Sequence, residues 1–182
     1  MRIAVVLLTL LSTQALGQMF DFRHAADDPE VLALLQDLAA RGAYQPDDVE
    51  VAAFIVLKAD GGVSCLLWPS SMSVRSAHYQ GRIPEGTVAI AHTHPGYAPQ
   101  ASRGDVDQSK RIGLPIYVLT RRELSVVDPS SGERVALIEG KSWIRSMGKR
   151  STCKTGWSNA AVAQRADGNS SVAMKVSGSS DH

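Results

Sequence analysis

The stretch most restrictive for the fold spans residues 92–105 and reads HTHPGYAPQASRGD. Before it, residues 87–91 (TVAIA) form a β-branched, apolar run that predicts a strand. Side chains at i and i+2 of a strand leave the same face, so His92 and His94 point together while Thr93 points away. Pro95 offers no ladder donor and ends the strand. Ser102 and Asp105 have the spacing of an N-cap and the third residue of a helix. A strand, a loop and a helix start in this order would return the Asp105 carboxylate to the two imidazoles. Two nitrogens and one oxygen leave a fourth tetrahedral position open, the pattern of a catalytic metal.

The remaining chain supplies the scaffold. Asp28 and Pro29 open a helix, Val31, Leu34, Leu35 and Leu38 recur at helical spacing, and Gly42 fits its stop. Residues 49–59 and 63–68 read as strands around an Asp60-Gly61-Gly62 turn. Residues 69–86 are polar and turn-rich. A short helix over 105–112 is stopped by Gly113 and Pro115, and strands follow over 116–119, 124–127 and 135–138. The expected fold class is α/β (α+β), a mixed β-sheet flanked by helices.

A length of 182 residues suits one domain with extensions, and 44% hydrophobic residues supply a core. A net charge of +1 in scattered, mixed-sign positions argues against nucleic acid and against an anionic membrane surface as partners. Residues 1–17 have a basic start, an apolar run too short to span a bilayer, and small residues before Gln18, which predicts a cleavable signal peptide. The expected location is therefore secreted or periplasmic. The domain is expected over 18–148. Residues 149–182 are rich in Ser, Gly, Ala, Asn and Lys and read as a disordered tail. Cys65 and Cys153 permit one disulfide in an exported chain.

A bare H-x-H is a weak signal, and length and neighbours sort its readings. A metal-dependent (β/α)₈ hydrolase needs roughly 250 residues of barrel. A cupin needs a later His, and only the terminal His182 remains. A di-zinc lactamase site needs an Asp-His pair where Pro95-Gly96 stands. A di-metal phosphoesterase needs a second ligand cluster, which the sequence around His92 lacks. One pattern fits at all five specified positions: His92, His94, Pro95, Ser102 and Asp105 resemble the JAMM signature of the JAB/MPN+ metallopeptidases. The resemblance covers about residues 49–127. The family also uses an upstream glutamate. Glu50, ahead of an apolar strand, fits that place better than Glu85, which sits between Pro84 and Gly86 close to His92. Ala53-Phe54 stand where the family usually has a glycine.

The resemblance implies a JAB/MPN-like (cytidine-deaminase-like) sandwich and one Zn2+ held by His92, His94 and Asp105. It makes Glu50 the general acid–base and Ser102 the hydrogen-bond donor to the oxyanion. The activity implied is hydrolysis of a peptide or isopeptide bond in a peptide or protein substrate. Export would make envelope or extracellular peptides the target. The alternative is a zinc-binding, JAB-like scaffold that binds a partner without turnover.

Overall fold

The computed structural model describes residues 20–43, 50–69, 76–94, 100–140, 143–144, 153–154 and 172–177. Helix α1 (Pro29–Ala43) starts where Asp28 Oδ1 accepts from the Glu30 and Val31 amides, at 2.8 and 3.3 Å. Its apolar stripe of Val31, Leu34, Leu35 and Leu38 is at most 2% exposed. Gly42 does not stop the helix, as its residue type predicts, but lies within it. A Cβ built on Gly42 would fall 2.3 Å from Thr93 Oγ1. Glycine here permits the backbone of α1 to press against a strand.

That strand belongs to a seven-stranded sheet. Strands β1 (Ala52–Leu57) and β2 (Val63–Leu67) form a hairpin; β3 (Ser76–Gly81) stands apart from it; β4 (Thr87–Thr93) is followed by helix α2 (Arg103–Ile112). Then come β5 (Ile116–Leu119), β6 (Glu123–Val127), β7 (Arg134–Glu139), β8 (Cys153–Lys154) and β9 (Val172–Ser177). The order is β7-β6-β5-β4-β1-β2-β8, antiparallel except at β4–β5 and β2–β8. The parallel β4–β5 pair is joined through α2, the crossover a parallel neighbour requires. Gly113 closes α2 in a left-handed conformation at φ 70°, as its place after Ile112 predicts.

The central strands of the sheet are buried on both faces. Ala53, Ile55, Ala89, Ala91, Tyr117 and Leu119 join the core that contains α1. The alternate residues Ala52, Phe54, Ile90, Ile116 and Val118 join the core beneath α2 and the separate β3–β9 pair. Phe54, Trp68 and Tyr79 cluster there, with ring centroids 4.8 to 5.4 Å apart. The result is a mixed α/β fold, mostly antiparallel, with two helices against the sheet. Among the described residues no helix is long and apolar enough to cross a membrane.

Two expectations are corrected. The polar stretch 69–86 contains β3, and the predicted tail 149–182 contains β8 and β9, so the folded unit extends past residue 148. The reason is half-burial. In β3, Ala77 and Tyr79 are buried while His78 and Gln80 are exposed; in β9, Met174 and Val176 are buried while Ala173 and Lys175 are exposed. Each strand satisfies its ladder with the other, from Ser76↔Ser177 to Gly81↔Val172, a pairing too distant in sequence to read locally. The signal peptide expected over 1–17 lies outside the described residues.

The disulfide the sequence permits is present between Cys65 and Cys153, opposite each other on β2 and β8. The Cys153 amide also donates to Asp37 Oδ2 of α1 at 3.2 Å. A bridge closing a separation of 88 residues destabilises the unfolded chain by about 4.6 kcal/mol in the loop-entropy model. Replacing both cysteines with alanine should lower the unfolding free energy by about 2–5 kcal/mol in urea titrations. An unchanged midpoint would show that the bridge adds nothing.

Candidate metal centre

His92, Thr93 and His94 lie at the end of β4, between β1 and β5. The strand is held from both sides: the Thr93 amide donates to Val51 O and the His94 amide to Leu119 O, each at 2.9 Å. His92 pairs with Ala52 on β1 and with Val118 on β5, two residues of the core beneath α2. The imidazole of His92 therefore leaves the sheet toward α2, and that of His94 follows it by strand alternation. Pro95 lies outside the described residues.

Helix α2 brings the acid. Ser102 is its N-cap, and its Oγ accepts from the Asp105 amide at 3.2 Å. In return the Asp105 Oδ2 accepts from the Ser102 amide at 2.7 Å, and also from the Ser102 hydroxyl at 2.9 Å. This capping box occupies Oδ2 and fixes the carboxylate plane. Asp105 Oδ1 lies 3.3 Å from His92 Nε2, and Oδ2 lies 3.4 Å from His94 Nε2. The two Nε2 atoms are 2.9 Å apart. His92 and Asp105 are 0% exposed and His94 is 4% exposed.

These separations can be compared with what an ion requires. Ligands about 2.0–2.1 Å from a tetrahedral centre lie about 3.3 Å from one another. The two imidazole nitrogens, 2.9 Å apart, and the 3.3 Å from His92 Nε2 to Asp105 Oδ1 are near that value, while His94 Nε2 lies 3.4 Å from the other carboxylate oxygen, Oδ2. Both imidazoles turn the same ring atom, Nε2, toward the carboxylate. A cation between them would satisfy lone pairs that otherwise face each other in a buried site. Asp105 Oδ1 has no hydrogen-bond partner among the described residues, and neither has either histidine Nδ1. Burial alone would raise the Asp105 pKa; the neighbouring imidazoles of His92 and His94 outweigh it and hold the carboxyl far below the usual carboxylate range. Among the described residues, His92, His94 and Asp105 form a buried group able to hold a metal ion, with ligand atoms all within 4.8 Å.

The other expected site residues fall as follows. Glu50 is 4% exposed and precedes β1 by two residues. The β1–β4 register pairs Ala52 with His92; continued by two residues, it sets Glu50 opposite His94 and on the same face. Glu85 is exposed at the opposite end of β4. Ser102 is present at the site, with its hydroxyl directed to Asp105. His24, with a 71% exposed side chain beside Asp21, and His78, exposed on β3, stand outside. Two further residues at the site, Thr93 and Gly42, carry no functional signal in the sequence. Thr93 Oγ1 accepts from the Val51 amide at 2.9 Å, next to Glu50, and Gly42 makes room for that side chain.

Comparison of the chain with protein-family models, with curated proteins and with solved structures finds no match.

Metal should stabilise the fold. At a hundredfold excess over its Kd, a bound divalent ion adds about 2.7 kcal/mol, read as a rise in Tm. Asp105→Asn retains a cap acceptor but loses the anionic ligand, so the metal-dependent rise should disappear, and the metal-free Tm should fall because the imidazoles lose their charged partner. An equal rise in wild type and Asp105→Asn would place the ion elsewhere.

Proposed function

We propose that the chain is an exported zinc metallopeptidase of the JAMM type, with a JAB/MPN-like fold, that hydrolyses an amide bond in a peptide or protein. The observation that carries this reading is the meeting of His92, His94 and Asp105 in one buried group able to hold a metal ion, with buried Glu50 two residues before the β1 residue that pairs with His92. A donor set of two imidazole nitrogens and one carboxylate suits zinc and leaves a position open. The mixed sheet between helices is compatible with the proposed fold. The Cys65–Cys153 bridge suits an oxidising compartment, in keeping with the apolar N-terminal run.

When bound, zinc supplies Lewis acidity, which polarises a carbonyl and acidifies water near neutral pH. Glu50 takes the proton as water adds to the amide carbon and passes it to the departing amine nitrogen as the C–N bond breaks. Water and amide thus become a carboxylate and a protonated amine, both water protons going to the amine nitrogen and Glu50 ending ionised as it began. Asp105 is kept anionic by its imidazole neighbours and oriented by the cap. Ser102 reaches an oxyanion only by giving up its bond to Asp105 Oδ2, so its observed role is to orient the ligand. That commitment is the one feature favouring the second reading, a zinc-holding scaffold that binds a partner without turnover.

Metal content and peptide-library turnover of the purified chain test the reading. Wild type should carry one zinc per chain. Glu50→Gln should retain it and lose turnover by about 10²–10⁴-fold. Stoichiometric zinc without Glu50-dependent cleavage would establish the scaffold instead, and absence of metal would end both readings.

A further inference from the structure

We propose that Thr93, the residue between the two histidines, is a positioning residue that sets Glu50 relative to the metal ligands. The inference rests on the metallopeptidase reading for its catalytic consequence, and on hydrogen bonds of the metal-free fold for its structural one.

Thr93 stands on the face of β4 turned away from the imidazoles. It is 3% exposed and lies against the end of α1, where Gly42 leaves no room for a Cβ. Three bonds connect it to Val51, the residue after Glu50, the weakest being from the Thr93 hydroxyl to Val51 O at 3.5 Å. The Thr93 amide donates to Val51 O at 2.9 Å, as in an ordinary ladder. The Val51 amide donates to Thr93 Oγ1 at 2.9 Å. A regular antiparallel pair would send that second bond to the Thr93 carbonyl. A hydroxyl therefore stands in for the carbonyl at the place where β1 begins, since the regular strand starts at Ala52.

The consequence reaches the neighbour. Glu50 is attached to Val51, whose amide is held by this hydroxyl. Alternation continued from Ala52 puts Glu50 on the metal face, and Thr93 is on the opposite face. One strand thus carries both groups: His92 and His94 on one side as ligands, and Thr93 on the other as holder of the acid–base. Proton transfer depends on placement within hydrogen-bond reach, so a small release of Val51 should act on turnover and leave the ligands in place.

Thr93→Val keeps the branched shape and removes the acceptor; Thr93→Ser keeps the hydroxyl and removes a methyl. In the full chain, Thr93→Val should bind zinc with a Kd within about threefold of wild type and lose about 10–100-fold in kcat, with little change in KM. Its Val51 amide should exchange with deuterium at least about tenfold faster. Thr93→Ser should restore both readouts to within about threefold. Wild-type exchange rate and kcat in Thr93→Val would overturn the inference, as would a Thr93→Ser variant as impaired as Thr93→Val. If wild type holds zinc but cleaves nothing, the catalytic reading fails separately. Positioning is then judged by Val51 exchange and by the Glu50 carboxyl ¹³C shift on adding zinc, which should be present in wild type and Thr93→Ser and reduced in Thr93→Val. If Thr93→Val does not fold, the wild-type Val51 amide decides. Slow exchange, comparable with the β1 amides, supports the anchor, and exchange at the rate of an open loop overturns it.

Discussion

The site depends on one carboxylate serving two structures. Asp105 closes the capping box of α2 through Oδ2 and faces His92 through Oδ1. The cap satisfies an otherwise orphaned helix amide, worth about 1 kcal/mol, and it also fixes where the charge points. A buried carboxylate without partners would be costly or neutral. Here two imidazoles keep it anionic, and the three groups make each other's burial tolerable. The start of α2 and the end of β4 are thereby held together.

The sheet explains why these ends meet. Strand β4 runs through the middle of the order, with β1 on one side and β5 on the other. The chain leaves β4 through α2 and returns as β5, so the start of α2 lies above the C-terminal end of β4. Helix α1 backs the other face, close enough that Gly42 touches Thr93. The histidines therefore stand on a strand with a packed layer behind it, a rigid support of the kind that holds ligands to within fractions of an ångström.

Much of this was legible in the residues. Strand β5 agrees with its expected bounds because Gly113 and Pro115 punctuate a short apolar run. The cap of α1 at Asp28 and that of α2 at Ser102 were readable because capping follows a short local rule. The buried group of His92, His94 and Asp105 was readable because strand and helix periodicity dictate the direction of its side chains. Strands β3 and β9 were not, since each buries only alternate side chains and finds its partner across most of the chain. The helical place of Gly42 was hidden for a related reason: its use is contact with a distant strand, whereas its type signals a helix end. Glu50 emerged only through the family resemblance, because one glutamate before a strand carries no signal of its own. The role of Thr93 needed coordinates, since a hydroxyl replacing a carbonyl leaves no trace in sequence.

The central claim is that His92, His94 and Asp105 share one ion. X-ray absorption at the zinc edge of the purified, zinc-loaded chain tests it most directly. The account predicts one zinc per chain with two imidazole nitrogens and low-Z oxygen ligands at about 2.0–2.1 Å, and loss of the imidazole scattering in His92→Ala/His94→Ala. A sulfur shell near about 2.3 Å, or imidazole scattering unchanged in that double variant, would contradict it.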